Sequence, residues 1–178
     1  MGEDVKIYVS SKKENGDVSA MLEVMKEHRA NGNIDKAKLL GKRLGEIDVD
    51  FSGIVSPKLM KPDIVYQMKV LTDFAAEVNL QMLISAPLLS TTAVNAMYDV
   101  IQEKSSGFYF NISDGMAFSF YYAAVRNGGD IPVNIGRAFA MLCSVDSNES
   151  FIKAGADIYN EAVRVVSEEI NRADFSII

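Results

Sequence analysis

Apolar positions recur with a period near 3.6 along most of the chain, and that spacing predicts helices rather than strands. After an Asn15-Gly16 turn with Asp17 as cap, Val18, Met21, Leu22 and Met25 share one face and predict a first helix. Asn31-Gly32-Asn33 breaks it, and Ile34, Ala37, Leu40, Leu44 and Ile47 mark a second helix folded back by the short connection. Pro62 suits the first turn of a long helix whose Ile64, Met68, Leu71, Ala75, Val78 and Met82 are spaced 4-3-4-3-4. A second line of Val65, Thr72, Ala76 and Leu83 widens its apolar face, so this helix is expected to be covered on more than one side.

The same reading continues downstream. Pro87 opens a helix carrying Leu89, Ala93, Met97 and Val100 or Ile101, with Lys104 in its last turn and Gly107 as its stop. Ser113-Asp114-Gly115 reads as the cap of a helix that runs to Arg126 and halts at Gly128-Gly129. Pro132 opens a short helix with Phe139, Leu142 and Val145. Asp146 and Glu149 resemble a capping box for a last helix with Ile152, Ala156, Tyr159, Val163, Val166 and Ile170 facing inward. Residues 5 to 9 alternate as a strand would, but one strand has no partner, so residues 1–15 are expected as an N-terminal arm. The expectation is an all-α, single-domain bundle of about seven helices over residues 1–178, with antiparallel neighbours, short loops and a C-terminal tail from 172 to 178. Phe175, Ile177 and Ile178 in that tail are expected to dock on the bundle or on a second subunit.

Composition sharpens this picture mainly by exclusion. With 178 residues, 48% hydrophobic, the chain can build one core without metals or disulfides. The net charge of −6 works against phosphate backbones, and the one basic cluster, Lys36, Lys38, Lys42 and Arg43, reads as a solvated helix face. Nucleic acid is therefore not an expected partner. Residues 32 to 48 resemble the turn and second helix of a tetratricopeptide unit, yet nothing recurs at a 34-residue period and the first helix lacks that unit's aromatic anchor. Val78 to Tyr98 carries no charge, but Asn79, Gln81 and Ser85-Ala86-Pro87 divide it into two core segments, so no membrane span is expected. The acidic start lacks the apolar stretch of a secretory signal, and one cysteine cannot close an internal disulfide, which points to a reducing cytoplasm.

Few catalytic devices fit these residues. His28 is the sole histidine, so no site with two histidines can hold a metal, and neither metal nor cofactor is expected. His28 itself is expected in solvent at a helix end, and Cys143, among Phe139, Met141 and Leu142, as a small buried hydrophobe with a raised pKa. The common nucleotide-binding glycine loops are absent, and acid pairs such as Glu168-Glu169 or Asp48 with Asp50 are ordinary in a chain with 24 acids.

The segment from Phe108 to Tyr122 stands apart because it concentrates seven of the sixteen aromatic residues. Such density serves core packing, yet Gly115, Ser119, Tyr122 and Arg126 align on one helix face as a polar stripe beside the rings. If a small molecule binds, Ser119, Tyr122 and Arg126 are expected to touch it, with Asp114 as a further carboxylate; Arg126 near a helix end suits an anionic ligand. Two functions follow. The first is an interaction or self-association module without chemistry of its own, which accounts for the missing catalytic constellation. The second is a small-molecule binder or enzyme with an interhelical pocket of Tyr, Arg and carboxylate groups. The first is preferred on the sequence.

Overall fold

A computed structural model describes residues 11–113 and 115–175, with side chains from residue 18 onward. Among these residues there are eight α-helices and no strand: α1 (Ser11–Ala30), α2 (Asn33–Glu46), α3 (Pro62–Leu83), α4 (Pro87–Lys104), α5 (Ser106–Ser113), α6 (Met116–Arg126), α7 (Ile131–Leu142) and α8 (Glu149–Ala173). Two 3-10 turns, Phe51–Gly53 and Pro57–Leu59, connect α2 to α3. The protein is an all-α, single-domain helical bundle, as the apolar period requires. The alternating residues 5 to 9, Asp114, Ile177 and Ile178 lie outside the described residues; Phe175 is half-buried against the core.

α3 is the central helix, packed on α4, α6, α7 and α8. The predicted line from Ile64 to Val78 is buried, and so are Val70, Phe74 and Leu80 on its other sides. A helix that is apolar around most of its circumference gains most where neighbours cover all of it, so α3 takes the middle. In its last turn Met82 and Leu83 are exposed, contrary to the expected lines, while Leu80 and the following Ile84 stay buried.

Two close helix crossings hold the periphery, and glycine makes each of them. A Cβ on Gly41 of α2 would sit 2.0 Å from the Ala93 carbonyl oxygen of α4, and one on Gly45 would sit 2.7 Å from that of Met97. Likewise a Cβ on Gly136 of α7 would lie 2.1 Å from the Ile152 carbonyl oxygen of α8, and one on Gly155 would lie 2.9 Å from the Cα of Gly136. The backbones are in contact at these points, closer than any side chain permits.

Several local readings are corrected. α1 starts at Ser11, so Asn15-Gly16 stays helical and part of the expected arm is helix; one glycine costs about 1 kcal/mol there, which good helix formers such as Lys12, Lys13 and Glu14 offset. Gly107 lies inside α5, an eighth helix not anticipated, because the extended Ser105 already ends α4 and its hydroxyl accepts from the Phe108 N–H at 3.3 Å. Gly115, at φ 79°, makes the left-handed turn from α5 into α6. Asn148 rather than Asp146 caps α8, its side chain accepting from the Ser150 N–H at 3.1 Å. Of the expected line on α8, Tyr159 and Val166 are buried; the buried face otherwise runs through Phe151, Gly155, Ile158, Ala162 and Glu169, beside that line, with Gly155 set against Gly136.

His28 is buried, 6% exposed, rather than solvated. The left-handed Gly32 folds α2 back over the end of α1, and the His28 ring nitrogen Nδ1 meets the Asn33 amide at 3.4 Å. The expected basic face is divided as well. Arg43 pairs with Glu169 of α8 at 2.7 Å, Lys36 donates to the Asp174 carbonyl at 2.5 Å, and only Lys38 and Lys42 remain exposed. No helix among the described residues is long and apolar enough to cross a membrane.

Candidate functional site

The aromatic segment packs on α3 through Phe74. Phe118, Tyr121 and Tyr122 of α6 set their rings 5.4, 5.1 and 5.0 Å from that of Phe74, so core packing fixes where the polar stripe of α6 points. Tyr121 is fully buried, whereas Tyr122, on the neighbouring position, reaches outward along the α3 surface.

There it meets Glu77. The Tyr122 hydroxyl donates to Glu77 Oε1 at 2.5 Å, and the Tyr98 hydroxyl, arriving from α4, donates to Glu77 Oε2. Both hydroxyls are held protonated, their pKa values pushed up by burial and by the carboxylate they face. Around this trio lies a cavity of about 300 Å³, walled by Tyr98, Tyr109, Phe118 and Tyr122 and reaching Ser119. Tyr98 and Tyr109 meet edge to face at 5.9 Å, which sets the angle of that wall.

Of the expected ligand-touching residues, Ser119 and Tyr122 therefore line one cavity. Ser119 is otherwise occupied in part, since its hydroxyl donates to the Gly115 carbonyl at 3.0 Å. Arg126 is exposed, one turn further on, and is not among the residues lining the cavity; its charge acts on the Tyr122 hydroxyl from outside. Asp114 lies outside the described residues. The sequence reading did not find Glu77 or the α4 and α5 tyrosines, Tyr98 and Tyr109. One signal was available: Glu77 sits between the apolar Ala75, Ala76 and Val78 of a helix expected to be covered on more than one side, where a charge needs a partner.

A larger cleft, about 890 Å³, opens where the segment after α2 crosses α3, α4 and α5. Tyr66, Lys69, Asp73, Lys104 and Phe108 line it, and Asp73 also faces a second hollow of about 440 Å³ against α8. Burial pushes the Asp73 carboxyl up to about 7, against the opposing pull of Lys69 and Lys104. No described side chain hydrogen-bonds to it. Asp48, beside the cleft, stands 3.8 Å from Lys104, and Asp50 caps the first 3-10 turn through Ser52, so those two acids do not form a pair.

Other candidates resolve into structure. Glu168 is tied to Arg164 at 2.5 Å, and Glu169 to Arg43 and Arg172, so these neighbours face different partners. Cys143 is half-buried, and burial pushes its thiol up to about 11, which leaves it a poor nucleophile. No group of three or more His, Cys, Asp or Glu among the described residues is arranged to hold a metal ion.

The arrangement defines a class in structural terms only: a helical bundle with a tyrosine-lined acidic cavity on one flank and a charged cleft on another. No protein-family profile matches the chain, and no curated protein or solved structure matches it significantly.

Proposed function

We propose that the protein is a helical interaction module of the reducing cytoplasm that associates with a second copy of itself through α1. The observation that carries this reading is the fate of the first apolar stripe. Val18, Met21 and Leu22 are 56, 73 and 48% exposed, because α1 packs mainly on α2 and turns that face outward. An uncovered amphipathic face of this kind marks an interaction surface.

The stripe is compatible with a second copy of the same helix. An antiparallel copy would set Val18 opposite Met25 and Met21 opposite Leu22. Self-association of this symmetric kind needs no chemistry from the rest of the chain.

Sedimentation equilibrium tests it. Wild-type protein is expected to dimerise with concentration, and Met21→Glu to remain monomeric with the same helical circular dichroism. A wild type that stays monomeric at every concentration, or a Met21→Glu variant that dimerises equally well, overturns the reading.

The cavity around Glu77 favours a second reading, a small-molecule-binding protein whose pocket lies between helices and is built from tyrosines and a carboxylate. Ser119 and Tyr122 belong to that pocket, and Arg126 stands at its edge.

A further inference from the structure

The charge of the Glu77 cavity is opposite to what the α6 stripe suggests, and this determines what it would hold. Among the described residues lining it, Glu77 is the one acidic side chain, and none is Lys, Arg or His. Its walls are the rings of Tyr98, Tyr109, Phe118 and Tyr122, whose faces carry the negative end of the aromatic quadrupole. An anion entering here would meet a carboxylate and electron-rich aromatic side chains without a counter-charge. A cation would meet both attractions at once.

The hydrogen bonding narrows the class of cation. Each Glu77 oxygen already accepts from a tyrosine hydroxyl, so the carboxylate offers its charge more readily than its lone pairs. A primary ammonium needs acceptors for three N–H groups on leaving water. A methylated ammonium needs few or none, sheds its weak hydration easily, and gains from methyl contact with ring faces. A volume of about 300 Å³ admits such a headgroup with a short substituent and is too small for a nucleotide.

We propose that the cavity formed by Glu77, Tyr98, Tyr109, Phe118 and Tyr122 is an aromatic cage for a methylated ammonium group. This rests on the small-molecule reading above and is independent of the α1 interface. Tyr122 and Tyr98 brace the carboxylate, Tyr109 and Phe118 complete the wall, and Arg126 lies outside as a like charge that weakens the site.

The test uses three probes of nearly one shape: choline, its uncharged isostere 3,3-dimethylbutan-1-ol, and the anion 3,3-dimethylbutanoate, each titrated into the full chain by calorimetry and thermal shift. Choline is expected to bind about tenfold or more tightly than the uncharged isostere, and the anion not at all, since the charge supplies the cation–π and Coulomb attraction. Glu77→Gln and Tyr109→Ala should each weaken choline about tenfold, and Arg126→Met should strengthen it rather than abolish it. Tyr109 does not hydrogen-bond to Glu77, so its variant reports on the cage even if Glu77→Gln disturbs folding. If the uncharged or anionic probe binds as well as choline, the cage is wrong while the pocket stands. If none of the three binds the wild type, both the cage and the small-molecule reading fall.

Discussion

Gly41→Ala is expected to lower stability by about 3 kcal/mol, and Gly136→Ala by at least as much, through overpacking at a backbone contact. The added methyl would stand 2.0 Å from the Ala93 carbonyl oxygen in the first case and 2.1 Å from that of Ile152 in the second. Neither neighbour is the end of a flexible side chain, so relief requires one helix to move off the other. Helix propensity alone predicts the reverse sign, a gain of about 1 kcal/mol for alanine over glycine within a helix. The sign of the change therefore separates the two effects. For a domain of this length the loss corresponds to a fall in melting temperature of roughly 6 to 12 °C. Gly53→Ala supplies the control, because nothing lies within 4 Å of a Cβ there, and it should leave the melting temperature nearly unchanged. A Gly41→Ala or Gly136→Ala protein that melts at or above the wild-type temperature would show that the crossings can loosen without cost.

Stability is expected to rise as the pH falls from about 8 to about 4, and Asp73 is the reason. Its folded-state pKa is raised from 3.8 to about 7 by burial. Between these two values the native protein holds a proton that the unfolded chain releases, so added protons favour the native state. The direction is opposite to that of a salt-bridged acid. The contribution grows as pH falls through 7, is complete below the unfolded value, and is on the order of a few kcal/mol. Asp50 and Glu161 have lowered pKa values and act the other way, but Asp50 is exposed, Glu161 is partly so, and both are held by local hydrogen bonds, so they affect only the acid end. Asp73→Asn keeps the side-chain shape without the charge. It should raise stability at pH 8 and flatten the dependence between pH 4 and 8, read from urea midpoints at matched ionic strength. A slope in Asp73→Asn equal to that of wild type would assign the effect to other groups.

This titration bears on the large cleft as well. A carboxyl with a pKa of about 7, under the influence of Lys69 and Lys104, makes the cleft more positive by one charge as the pH falls through neutrality. Any cation that favours this cleft should therefore bind more weakly below that pH.

The order and type of helices were legible in the sequence because each depends on local spacing and end chemistry. Pro62 and Pro87 mark starts that the structure reproduces, and Lys104 and Arg126 mark ends. The buried line of α3 from Ile64 to Val78 likewise follows from a 3.6 period in one segment. Where a rule was local but had a close rival, the choice went elsewhere: Asn148 displaced Asp146 as a cap, and Gly107 sits within a helix instead of ending one.

What the tertiary structure alone decided is which helix faces which, and how closely. A glycine in a helical stretch reads as a weakness of that helix; Gly41 and Gly136 became contact points only when α4 and α8 arrived against them. His28 reads as a solvated residue at a helix end, yet the turn at Gly32 closes Asn33 over it. The stripe of Ser119, Tyr122 and Arg126 could be drawn on one helix, but the charge of its cavity came from Glu77, forty-five residues away from Tyr122 on a different helix. Period and caps are properties of neighbours in sequence, and the chain carries them wherever it goes. The sign of a site and the closeness of a crossing are sums over groups that meet only after folding, and no single helix contains those terms.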